Sequence, residues 1–136
     1  VGADSEYFFS REVFNPHLAA VKPAIREANE KFKAKYGKDM DGTIARAYTA
    51  ALLVVDVLER AGSIDPESIR KALRETNWPE EKVPMPWRGI RFDEKGQNVL
   101  AGGLVVQLQG GVYRTVWPWN VATVEVKGVP FPGWQR

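Results

Sequence analysis

From residue 47 to residue 55 the chain carries no charge on any face, inside a helical pattern that opens at Asp41-Gly-Thr43 and closes at Gly62. A helix that is apolar all round has to be enclosed by other elements, so this stretch is the expected core helix. Burying each of its Leu or Val side chains contributes roughly 1.5–3 kcal/mol. On that reading a carboxylate at Leu52 unfolds the chain, because an unpaired charge would be left in the interior. The run is too short to cross a bilayer. With 136 residues, two other helical stretches and a few strands are available to enclose it, which is a first sign of missing partners.

The flanking helices are marked by their ends. Residues 18–36 place Ile25, Ala28, Phe32 and Tyr36 on one stripe, with Pro23 near the first turn and Gly37 at the C′ position. Glu27 and Lys31 add an i,i+4 pair. A third helix begins at Asp65-Pro66-Glu67, an N-cap acid followed by Pro at N1, and turns Ile69, Ala72 and Leu73 inward. Strand patterns lie outside this helical middle. Residues 5–14 are rich in aromatics and stop at Asn15-Pro16. After Asn77 the prolines 79, 84 and 86 mark a loop, and strands are expected near 88–92, 103–109, 112–117 and 121–126. Gly110-Gly111 is a two-residue hairpin connection. Leu104, Val106 and Leu108 share one strand face, with Gln107 and Gln109 on the other. Five tryptophans, four of them from Trp87 onward, sit where loops expose them, which suggests an interface unless they pack internally.

Catalytic and cofactor chemistry is thin. There is no cysteine, so disulfides, thiolate nucleophiles and zinc–thiolate sites are excluded, and zero cysteines suit an oxidising envelope compartment. His17 is a lone loop histidine, and no serine lies in a nucleophile elbow. No glycine loop is followed by the helix and lysine that cradle phosphate. Asp39 and Asp41 lack the continued spacing of a cation loop and read as helix-start residues; Asp93-Glu-Lys-Gly96 reads as a turn. Neither an enzyme, nor a metal site, nor a bound cofactor is expected. A net charge of +2, with Lys31, Lys33, Lys35 and Lys38 interrupted by Glu30 and Asp39, describes a solvated helix face and not a nucleic-acid surface. The first residue is Val1, as in a secreted protein after cleavage or an excised fragment.

A set of short strings in fixed order adds a resemblance. They are Phe32-Lys-Ala-Lys-Tyr-Gly37, Ala45-Arg-Ala-Tyr48, Gly62-Ser-Ile-Asp-Pro-Glu67, Gly89-Ile-Arg-Phe-Asp-Glu-Lys-Gly-Gln-Asn98, Gln107, Trp117-Pro118 and Pro130-Phe-Pro-Gly-Trp134. Each is common alone; together the chain resembles the closing segment of the solute-binding proteins of ABC importers for branched-chain and related amino acids. The fold this implies is α/β, the C-terminal portion of a type I periplasmic binding protein. Its order is a strand, three helices and a small group of strands, within an incomplete two-lobe architecture. Residues 24–100 would belong to the first lobe, and 1–23 and 101–136 to the second.

The resemblance implies capture of an amino acid or similar carboxylate between lobes and delivery to a membrane permease, without chemistry on the ligand. The location would be periplasmic, or extracellular and membrane-tethered in a Gram-positive source. Most of the ligand site would lie in segments preceding Val1. Within this chain Tyr48 is the candidate for shaping the side-chain pocket, with packing near the hinge as its alternative. Phe8 and Phe9 are candidates for a pocket wall, with strand core as theirs. A sensory domain of a signalling receptor shares the fold, and unpaired surfaces also permit an isolated piece to self-associate without binding ligand.

Overall fold

The computed structural model describes residues 5–130. Its first strand, β1 (Phe9–Glu12), is shorter than the aromatic run predicts. The chain leaves it because Asn15 caps a 3₁₀ turn, Pro16–Ala20, by accepting a hydrogen bond from the His17 N–H at 3.0 Å. The predicted first helix is therefore split. The 3₁₀ turn comes first, and α1 (Pro23–Tyr36) begins afresh with Pro23 in its first turn. Gly37 ends α1 in the left-handed region at φ 72°, which spares the strain a side chain would meet. Asn29 then fixes the following loop, donating to Asp39 and accepting from the Met40 N–H, both at 2.8 Å. Met40 is buried as a result.

Asp41 caps α2 (Gly42–Ala61), its carboxylate accepting from the Thr43 and Ile44 N–H groups at 2.9 Å. Asp65 does the same for α3 (Pro66–Arg74) through the Ser68 N–H. The capping readings of Asp41 and Asp65 hold. The expectation that α2 is enclosed within this chain does not. Ala45, Thr49 and Val57 are buried on one stripe, while Leu52, Val54, Val55 and Leu58 are 39%, 55%, 54% and 41% exposed. A carboxylate at Leu52 would accordingly reach water and is not expected to unfold the chain by itself. α3 packs on α2 and buries Ala72, but Leu73 stays on the surface.

Two small antiparallel sheets complete the structure. β2 (Asn77–Pro79) pairs with β3 (Gly89–Arg91), so Trp78 lies opposite Ile90 in a strand, not a loop, and its ring is buried. Past β3, Asp93 Oδ1 accepts from the Lys95 and Gln97 N–H groups at 2.9 Å, which makes Asp93-Glu-Lys-Gly96 a turn as read. The second sheet has the order β1–β4–β5, with β4 Leu104–Gln109 and β5 Val112–Trp117. Gly110 and Gly111 have φ of 63° and 76°, the pair of positive values a type I′ hairpin requires.

The strand expected at 121–126 is absent. After a 3₁₀ turn, Trp119–Val121, the chain runs irregularly, keeping one backbone bond to β5, from the Thr123 N–H to the Thr115 carbonyl at 2.8 Å. Gln109 Nε2 donates to the Glu125 carbonyl at 2.8 Å and Gln107 Nε2 to that of Lys127 at 2.7 Å. The Lys127 N–H returns to Gln107 Oε1 at 2.9 Å. Side-chain amides reaching out of β4 thus hold residues 125–127 across the sheet, and both glutamines are buried under this strap. Among the tryptophans, Trp78 packs internally, Trp87 is half-buried against the core, and Trp117 and Trp119 are exposed. Trp134 and the Phe131-Pro-Gly part of the ending lie outside the described residues.

Candidate functional site

Tyr48 is set by the register of α2. It lies one turn after buried Ala45 and one turn before Leu52, on the side that faces α1. There it lines an open groove of about 400 Å³. Ala24, Ala28, Tyr48 and Leu52 form the apolar part, and Pro23 and Pro84 contribute at the end near the 3₁₀ turn Glu80–Lys82. The rim is charged with both signs, Glu27 and Lys31 on α1 and Glu81 and Lys82 opposite. Glu27 and Lys31 pair at 2.7 Å, which holds the Glu27 carboxyl below its ordinary value and raises the Lys31 ammonium. Tyr48 itself is half-buried and packs against the core.

Lys82 is held from behind by a network that sequence reading did not single out. Its Nζ donates to Asp56 at 3.1 Å and stands 4.7 Å from the centre of the Trp78 ring. Asp56 also accepts from Arg60 Nε at 2.8 Å, one turn along α2. Arg60 then reaches α3, donating to the Ala72 carbonyl at 2.6 Å and to Thr76 Oγ1 at 2.9 Å. Burial of Asp56 opposes ionisation, yet the hydrogen bonds from Arg60 and Lys82 prevail and hold its carboxyl below the usual aspartate range. Among the described residues Trp78 Nε1 is buried without a hydrogen-bond partner, but lies near enough to Asp56 to add to that pull. The i,i+4 spacing of Asp56 and Arg60 was the available signal; the contact with Lys82 spans 26 positions and was not.

Phe8 and Phe9 are elsewhere. They stand at the start of β1, Phe9 opposite Gln107, and neither lines the Tyr48 groove. At 50% and 49% exposure they are not strand core. Among the described residues, no three His, Cys, Asp or Glu side chains gather as a metal site would need, and no helix is long and apolar enough to cross a membrane.

This arrangement of helices and small sheets has relatives. A family described as periplasmic binding protein matches residues 2–111. The chain belongs to the periplasmic binding protein family. Among its relatives is Leu/Ile/Val-binding protein homolog 7 of Brucella abortus (strain 2308), 28% identical over 106 residues, which are 77% of this chain and 26% of that protein. Homolog 8 from the same strain is 27% identical over the same shares. The crystal structure of a leucine-binding protein, LivK, from Thermotoga maritima MSB8 superposes with a TM-score of 0.64 at 29% identity, covering 84% of this chain and 31% of that one. An ABC transporter substrate-binding protein from Desulfitobacterium hafniense, solved in complex with Leu, gives a TM-score of 0.65 at 22% identity, covering 82% and 31%. The fold of this periplasmic binding protein chain is therefore part of a type I periplasmic binding protein fold. It spans about a quarter of the length of the curated relatives and under a third of the solved ones.

Proposed function

We propose that this chain is the closing part of a two-lobed solute receptor that captures an amino acid or related small carboxylate and presents it to the permease of an ABC importer. The observation that carries the reading is the outer face of α2. Val54, Val55 and Leu58 lie on the surface of a chain that spans about a quarter of its relatives, and such a face is the expected result of removing the polypeptide it packs against. Residues 24–100 would complete the first lobe, and 1–23 with 101–136 would contribute to the second. The work is closure and not reaction: ligand shifts a hinge equilibrium toward the form the permease recognises. Such a receptor acts in the periplasm, or outside the cell on a membrane tether. Tyr48 would shape the wall near the ligand's side chain, and Phe8 and Phe9 would do so only from the second lobe.

Because the groups that close on the ligand are divided between lobes, the chain alone should show no saturable heat with leucine, isoleucine or valine in calorimetry. The longer reading frame that contains it should bind one of them. Saturable binding by this chain alone would contradict the reading, as would a longer protein that binds no amino acid or small carboxylate. The exposed α2 face also favours pairing between two copies of the isolated chain, in which case the mass from light scattering rises with concentration.

A further inference from the structure

Two stretches join the helical part of the chain to the three-stranded sheet. One is Val21-Lys22, between the 3₁₀ turn Pro16–Ala20 and α1; the other is Ala101-Gly102-Gly103, between Leu100 and β4. The second is exposed and irregular, and Gly102 has nothing within 4 Å of a Cβ position. The first is pinned. Lys22 is only 6% exposed, and its side chain does not cap α1 although it occupies the N-cap position. Its Nζ donates to the Met85 and Trp87 carbonyls, both at 2.7 Å, and lies 3.4 Å from the Glu80 carboxylate. The ammonium thus makes two hydrogen bonds and one ion pair, all to the loop between β2 and β3. Burial pulls the Lys22 pKa below its ordinary value, with Glu80 opposing that pull.

The same peptide unit meets both crossings. The Trp87 carbonyl accepts from Lys22, and the other half of that peptide, the Arg88 N–H, donates to the Leu100 carbonyl at 3.0 Å. Leu100 in turn lies against Gly89, where a Cβ would stand 2.8 Å from Leu100 Cδ1. One amide thus ties the start of α1 to the segment that leaves for β4.

We propose that Lys22 is a positioning residue of the hinge: through the Trp87–Arg88 peptide it locks the two crossings side by side and so sets the angle between the helical part and the sheet. The proposal rests on the lobe division proposed above. A charged donor suits the task, since it holds two carbonyls and a carboxylate at once while the glycines of the other crossing supply the freedom to rotate. The apolar core runs through the same joint, with Leu18 on one side and Ile25 on the other, so the lock orients a packed joint and does not replace the packing.

The chain has no cysteine, so spin labels can be placed on introduced ones. A pair at Glu59→Cys and Val112→Cys spans the joint; a pair at Glu59→Cys and Lys71→Cys stays within the helical part. In Lys22→Met, the spanning distance distribution should broaden about twofold or shift its maximum, while the internal pair stays as in the parent. An unchanged spanning pair would overturn the proposal, and equal broadening of both pairs would too, since Lys22 would then only support the helical part. If Lys22→Met does not fold, Lys22→Gln, shorter and uncharged, should give the same pattern at smaller amplitude, and an unchanged spanning pair in it would likewise overturn the proposal. Inserting two glycines between Gly102 and Gly103 in the Lys22→Met background separates the two ideas. If the single variant is silent but the combined one broadens the spanning pair, the two parts exist and Lys22 is not their lock. If neither responds, the lobe division fails as well.

Discussion

Replacing Gln107 by Leu should detach the strap that covers the sheet. The Gln107 side chain is 0% exposed and uses its whole hydrogen-bonding capacity. Nε2 donates to the Tyr7 carbonyl at 3.0 Å and the Lys127 carbonyl at 2.7 Å. Oε1 accepts from Gln109 Nε2 at 2.8 Å and the Lys127 N–H at 2.9 Å. One of those partners, Tyr7, sits at φ 70°, a region non-glycine residues seldom occupy, so the bond also holds a costly conformation. Four bonds at a net 0.5–1.5 kcal/mol each come to about 2–6 kcal/mol. The added apolar burial of Leu returns about 1 kcal/mol, and lifting the strap into water limits the loss, which leaves about 3 kcal/mol. With a urea slope of about 1.5 kcal/mol/M, the unfolding midpoint should fall by about 2 M. Gln109→Leu removes two side-chain bonds and should cost about half as much. The Lys127 amide should lose its protection from hydrogen exchange in the Gln107 variant before the β4 amides do. A Gln107→Leu unfolding free energy within about 0.5 kcal/mol of the parent would refute the reasoning, because no buried group would then depend on that amide.

Two other perturbations are equally specific. Gly89→Ala should cost about 2–4 kcal/mol, read from thermal or urea unfolding, since Gly89 has φ 147° and a Cβ there would lie 2.5 Å from the Trp78 carbonyl oxygen. An unchanged stability would show that β2 and β3 separate freely. Asp56 should make folding sensitive to acid. Its folded-state pKa lies below the unfolded value, so its contribution is complete above the unfolded value and is lost as pH falls through the folded one. The urea midpoint should therefore drop less steeply on acidification in Asp56→Asn than in the parent, and identical slopes would contradict the Asp56–Arg60–Lys82 network.

The ends of the helices were legible because they depend on near neighbours. Asp41, Asp65, Gly37 and Gly62 each terminate or cap a helix as read, through bonds to residues at most four positions away. The hairpin at Gly110-Gly111 was legible for the same reason. What failed was long-range. Asn15 diverts the chain into a 3₁₀ turn, and its side-chain Nδ2 donates a hydrogen bond to the Tyr113 carbonyl 98 positions away. In place of the strand expected at 121–126, a single ladder-like bond from the Thr123 N–H to the Thr115 carbonyl forms, and Gln109 and Gln107, expected only as the polar face of β4, hold the Glu125 and Lys127 carbonyls from the face of the sheet. Lys22 carried a faint signal: a lysine is a poor N-cap, and one placed before Pro23 invites the question of what else holds it. The apolar run in α2 reads as a helix that needs cover on every side. Among the described residues α1 and α3 reach only one side of it, in keeping with the shortage of partners the sequence signals.

The central claim is that the outer face of α2 belongs to the interior of a larger receptor. Val55→Cys gives a single thiol on that face in an otherwise cysteine-free chain. Its alkylation should proceed at the rate of an exposed thiol in the 136-residue chain at low concentration and slow by about tenfold or more in the longer receptor. Equal rates in the two proteins would contradict the claim, because the face would then be surface in both.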